Sequence, residues 1–171
     1  MNAISLLKNQ HRKVEALFKK LEGGRSDPQT VREELANSLA AHMAIEHEFF
    51  YPGVKEVDEE MVNESFEEHS LAEVALKRLL ATDPEDETFA ARVTALKELI
   101  QHHVEEEEQE LFPEVEKAIS EESLNEMGKL MKRRFDEVFA NGFEATVPRG
   151  MAKTSADVDR KKIARRTKKA A

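Results

Sequence analysis

The chain contains no cysteine. That absence excludes disulfides, thiolate metal sites, iron–sulfur clusters and a cysteine nucleophile, and leaves histidine and carboxylate as the metal-binding chemistry. It also lacks any run approaching the roughly 20 apolar residues that span a bilayer. Met1 to Lys20 carries charge every few residues in place of a signal-peptide apolar block. No membrane contact and a cytoplasmic location are therefore expected. Alternation of β-branched and aromatic residues is missing as well, so strands are not expected.

What is present is a chain of 171 residues, 40% hydrophobic and 36% charged. That is one domain's worth, at roughly 100–200 residues per domain. Its 35 acidic and 26 basic side chains give a net charge of −9, unevenly spread. Residues 144–171 hold nine Lys and Arg against Glu144, Asp157 and Asp159, so this tail carries +6 and residues 1–143 carry −15. The tail has a Pro148-Arg149-Gly150 breaker, few large apolar residues and no periodicity, and is expected to be disordered. Its cations suit nucleic acid or another acidic partner. A solvated segment, or one folded back on the acidic body, is the alternative.

In the body, apolar residues recur at helical spacing throughout. Helices are expected over about 3–22, 28–51, 58–81 and 88–119, the last bent near Pro113. Asp27-Pro28 is a strong start signal, an N-cap followed by Pro at the first helical position. Ser120 can cap a shorter helix that ends at Asn141-Gly142. The expected fold is all-α: an antiparallel up-down four-helix bundle over residues 1–143 with an additional fifth helix packed outside it, followed by the tail.

Four of the six histidines stand one per long helix, at His11, His42, His69 and His103, each with a Glu four residues later: Glu15, Glu46, Glu73 and Glu107. Residues i and i+4 share a helix face, so each pair can offer N and O donors to one cation or to two adjacent ones. All four histidines continue apolar stripes, such as Leu7, His11, Val14, Phe18, and so face inward. Carboxylates buried beside them need a compensating charge. In antiparallel helices the four histidines fall within about one turn of a common height. The layout also repeats, because His42 and His103 are each followed ten residues later by Pro, at Pro52 and Pro113. His47 and His102 are rotated about 100° from the neighbouring inward positions and are expected at the surface, with a place as donors behind the ligands as the alternative. The run Glu105 to Glu108 is expected to be a solvated face, Glu107 excepted.

The blocks AHMAIEHEFFYP and HHVEEEEQELFP resemble the hemerythrin-like family, the His-His-Glu cation-binding bundles, and the resemblance covers about residues 3–140. It implies two non-haem iron ions, oxo- or hydroxo-bridged. It carries bridging carboxylates onto Glu46 and Glu107 and histidine ligands onto His11, His42, His69 and His103. A small diatomic or peroxide ligand would bind at an open iron position. Oxygen carriers of this type have a fifth His four residues after the third-helix ligand, where this chain has Glu73. Glu73 is therefore expected as a terminal ligand that lowers the reduction potential. Glu15 holds the equivalent position in the first repeat, which the family does not ordinarily use. The Glu-x-x-His pattern of ferritin-like di-iron bundles is absent. The expected function is binding or sensing of oxygen, peroxide or nitric oxide. Alternatives are an oxidoreductase consuming peroxide or nitric oxide, and an interaction protein using the tail.

Overall fold

Side chains that accept hydrogen bonds from free backbone amides define the start of most of the long helices in this computed structural model, which describes residues 1–24, 26–151, 153–160 and 162. Asn2 caps α1 (Ala3–Gly23), Asp27 with Pro28 opens α2 (Pro28–Ile45), Asp58 caps α4 (Glu59–Leu80) and Ser120 caps α7 (Glu121–Asn141). Gly24 ends α1 in the left-handed region at φ 62°, which a side chain would resist.

The second and fourth helices of the bundle each contain a π-helical turn. α2 passes through Glu46–Phe50 into α3 (Tyr51–Val54), and α5 (Phe89–Glu106) passes through Glu107–Leu111 into α6 (Phe112–Ala118). In each, a backbone N–H reaches five residues back: Tyr51 to the Glu46 carbonyl and Phe112 to the Glu107 carbonyl. Pro52 and Pro113 explain the position. Each follows the π turn by two residues, lacks an N–H, and would crowd the carbonyl four residues earlier in a regular helix. The widened turn lets the helix run on where a stop near Pro52 is expected from sequence.

Two apolar clusters reveal the up-down order of the helices. One contains the first residues of α1 (Ile4, Leu7), the last of α2 (Ala44, Ile45), the first of α4 (Val62, Phe66) and those following α5 (Leu111, Phe112). The other contains Val14 and Phe18, Val31 and Leu35, Leu76 and Leu79, and Phe89 and Leu96. Successive helices therefore run antiparallel, with the histidines at the level between the clusters. α7 lies outside the four, against α1 and α2.

The tail differs from the disorder expected of it over 153–160. Thr154 N–H donates to Asp157 Oδ2 at 2.9 Å and Asp157 N–H donates back to Thr154 Oγ1 at 3.3 Å, a capping box that starts a helical turn at 155–160. This stretch lies along α4: the Lys77 ammonium donates to the Lys153 carbonyl at 2.8 Å, Thr154 Oγ1 meets Ser70 Oγ at 3.0 Å, and Arg160 pairs with Glu67. Composition underestimated it because few apolar residues are needed when polar anchors are supplied by the body. Lys161, Arg165, Arg166, Lys168 and Lys169 lie outside the described residues.

Gly128 sets how closely α7 approaches the bundle. A Cβ there would stand 2.7 Å from the Asn2 carbonyl carbon and 2.8 Å from the Ala3 nitrogen, both backbone atoms that cannot rotate away. Gly128→Ala is expected to destabilise the protein by about 1–3 kcal/mol despite alanine's better helix propensity. A thermal melt followed by circular dichroism measures it.

Candidate metal centre

His11 on α1, His42 on α2, His69 on α4 and His103 on α5 all turn Nε2 toward two carboxylates, Glu46 and Glu107, each the first residue of a π turn. Glu46 offers Oε1 to His42 Nε2 at 3.2 Å and Oε2 to His69 Nε2 at 3.5 Å. Glu107 Oε2 lies 3.4 Å from His11 Nε2 and 3.7 Å from His103 Nε2. These six side chains are buried. They form two donor groups with compatible spacing, His11, His42, Glu46 and Glu107 in one and Glu46, His69 and His103 in the other, so Glu46 belongs to both.

Three of the four outward nitrogens have partners of their own, whereas His42 Nδ1 is buried without one among the described residues. His11 Nδ1 lies 2.8 Å from Glu108 Oε1, His103 Nδ1 lies 2.7 Å from Glu68 Oε2, and His69 Nδ1 lies 2.8 Å from His47 Nε2. A carboxylate can only accept, so in the neutral rings Glu108 and Glu68 place the protons of His11 and His103 on Nδ1 and leave Nε2 with a lone pair facing inward. Tyr51 donates its hydroxyl to Glu107 Oε1 at 3.0 Å.

Electrostatics show what this layer lacks. Burial pushes the Glu46 carboxyl well above the usual range, and the neighbouring Glu107 charge pushes it further. Burial acts on Glu107 in the same direction, but His103 and His11 bring it down to about 2. Burial holds His42 and His69 well below the usual imidazole range, that is, neutral and able to coordinate. His103 is also buried, yet Glu107 and Glu68 raise it. His69 Nε2 and His103 Nε2 stand 2.9 Å apart, a distance at which two lone pairs repel unless a proton or cation lies between them. Both Glu46 oxygens, Glu107 Oε2 and His11 Nε2 are buried without a hydrogen-bond partner among the described residues. Unpaired buried acceptors of this kind cost about 1–3 kcal/mol each. The imidazole and carboxylate set fits borderline cations such as iron.

Two side chains are placed differently from the sequence expectation. Glu73 is fully buried but takes no part in either group. Its carboxylate instead pairs with the Lys77 ammonium at 2.7 Å and accepts from the backbone N–H of Ser155 at 2.9 Å and from the Ser155 hydroxyl. His47 is expected at the surface but is 1% exposed. The π turn adds a residue to its revolution, so Glu46 and His47 both reach the interior. Glu108 likewise serves His11 and Arg12 and is not simply solvated. His102 is exposed as expected, near Glu106 and Glu68, and Glu15 pairs at the surface with Lys19. The missed signals were Pro six residues after each inward Glu, and the Thr154-Ser155-Ala156-Asp157 capping pattern.

Comparison with known proteins agrees with this geometry. Over 126 residues the chain is 31% identical to a DNA nickase of Nostoc sp. strain PCC 7120, a match that covers 71% of this chain but only 36% of that protein. The crystal structure of a hemerythrin HHE cation-binding domain-containing protein, the Rv2633c homolog from Mycobacterium kansasii, superposes with a TM-score of 0.74 at 22% identity, covering 93% of this chain and 99% of that one. The profile of the hemerythrin HHE cation-binding domain matches residues 2–115, two thirds of the chain, and includes all four inward histidines and both inward glutamates. The chain belongs to the hemerythrin HHE cation-binding domain family.

Proposed function

We propose that the six inward side chains hold two iron ions bridged by Glu46 and Glu107, and that the centre binds or senses a small oxidant: oxygen, peroxide or nitric oxide. The observation that carries this reading is the double membership of Glu46, with one oxygen toward each donor group. Four imidazoles and two carboxylates shared between two ions leave positions for a small ligand. Bound iron would supply the redox chemistry.

The protein's own groups prepare the site in identifiable ways. Glu108 and Glu68 orient His11 and His103 from behind. Burial, with Glu107 and Glu46 beside it, holds the Tyr51 hydroxyl well above its usual range, so it remains a neutral donor to Glu107. A cleft of about 220 Å³ between α1 and α5 reaches His11, lined by apolar Val14, Phe18, Ile100 and Val104 and by polar Arg12, Glu15, Lys97, Gln101 and Glu105, and offers a small molecule a mixed polar and apolar approach.

Metal analysis with an optical spectrum of anaerobically reduced protein, before and after oxygen, tests the reading. Two irons per chain and oxo-bridge charge-transfer bands are expected; no iron uptake, or a single iron, would falsify the di-iron reading. At iron concentrations a hundredfold above Kd the linkage is about 2.7 kcal/mol, which should raise Tm by about 5–10 °C. Peroxide added to the loaded protein separates the alternatives, because sustained consumption supports an oxidoreductase and stoichiometric bleaching supports binding or sensing.

Glu73→Gln is expected to keep both irons and to lose about 1–3 kcal/mol of stability, since Lys77 then loses its buried counter-charge. Loss of iron in this variant, with the Asp159–His47 contact intact, would restore Glu73 as a ligand.

The tail supports a second reading, contact with nucleic acid, because it carries +6 and because one relative is a DNA nickase. Deleting residues 144–171 should abolish salt-sensitive binding to duplex DNA, and binding that persists in this variant excludes a contact through the tail.

A further inference from the structure

His69 differs from His11 and His103 in what stands behind it. Their outward nitrogens meet carboxylates directly, whereas His69 Nδ1 meets a second imidazole, His47 Nε2, at 2.8 Å. A neutral imidazole can donate or accept, so this contact alone does not decide which His69 nitrogen carries the proton. The decision is made one residue further out. His47 Nδ1 lies 3.3 Å from Asp159 Oδ2, in the segment that lies along α4. A carboxylate only accepts, so His47 carries its proton on Nδ1 and presents a lone pair at Nε2. His69 must then donate from Nδ1, and its own lone pair is left at Nε2, 3.5 Å from Glu46 Oε2.

We infer that Asp159 is a positioning residue for the metal centre, setting through His47 which nitrogen His69 turns toward the cations. This inference rests on the metal reading given above. The segment is built to keep Asp159 in place. Thr154 and Asp157 cap its turn, Ser155 donates to the buried Glu73 carboxylate, and the Arg160 guanidinium lies 5.6 Å from the Phe66 ring centroid. Lys162 also pairs with Asp159 at 2.8 Å. The buried charge of Glu73 thus anchors the strap instead of coordinating, and the strap supplies a different carboxylate behind His69. Residue 159 lies beyond the 2–115 match to the family profile, so its carboxylate comes from this chain's C-terminal part, whereas His47 and His69 lie within the matched domain.

The test uses full-length wild type, Asp159→Asn and Asp159→Glu, each titrated with Co²⁺ alone and followed by ligand-field absorption. Nitrogen–proton correlation spectra of the same chains before metal addition report the protonated nitrogen of His47 and His69. Wild type should show both rings protonated at Nδ1. Asp159→Asn should weaken Co²⁺ binding by about 10–100-fold and alter both ring signals, while Tm moves by no more than about 2 °C. Asp159→Glu should recover much of the affinity. Unchanged affinity and ring signals in Asp159→Asn overturn the inference, as does a loss of affinity in both variants that tracks a fall in Tm. Wild type that shows the ring signals but takes up no Co²⁺ overturns the metal reading instead.

Discussion

A layer of imidazole and carboxylate has to be buried at the middle of an apolar bundle, and the rest of the molecule answers to that constraint. An isolated carboxylate in such surroundings costs several kcal/mol, and here two face each other among four histidines. The protein reduces the cost from outside the layer. Glu108 and Glu68 occupy the backs of two rings, Tyr51 donates to Glu107, and the His47–Asp159 chain occupies the back of a third. On the inner side these partners leave both Glu46 oxygens and Glu107 Oε2 uncompensated, with no hydrogen bond among the described residues. Charge of positive sign is the one remedy that serves all of them together.

The bundle and most of the inward donors were legible in the sequence because a helix repeats every 3.6 residues and the motif occurs twice. His11, His42, His69 and His103 stand in apolar stripes, and Glu46 and Glu107 follow by one turn. The same period misled at His47. It assumes that every turn has regular width, and the π turn before Pro52 does not. Glu73 was misplaced for another reason. Its i+4 relation to His69 is satisfied on the helix, but its carboxylate is claimed by Ser155, 82 residues later, and by Lys77. No local pattern contains a partner so distant. Over 153–160 the tail follows the alternative reading, a segment folded back on the acidic body; composition could not select it because it counts apolar area and not the polar anchors on α4.

The family match and the remaining chain contribute unequally. Residues 2–115 contain the inward donors and both π turns. The part that follows adds α7, seated on α1 and α2 through the Gly128 approach, and the strap along α4. The two additions meet, since Arg134 of α7 and Ser155, Val158 and Asp159 of the strap line one cleft beside Ala40 and Ala44.

The two apolar clusters share no residue. Leu35 and Phe50, for example, belong to opposite ends, with the polar layer between them. Substitutions at sites without shared partners combine nearly additively. The ends can therefore drift in sequence, or be repacked by an engineer, as separate modules, and changes in melting behaviour made at one end need not be compensated at the other. Only the thin layer joining them is held to a fixed vocabulary of residues.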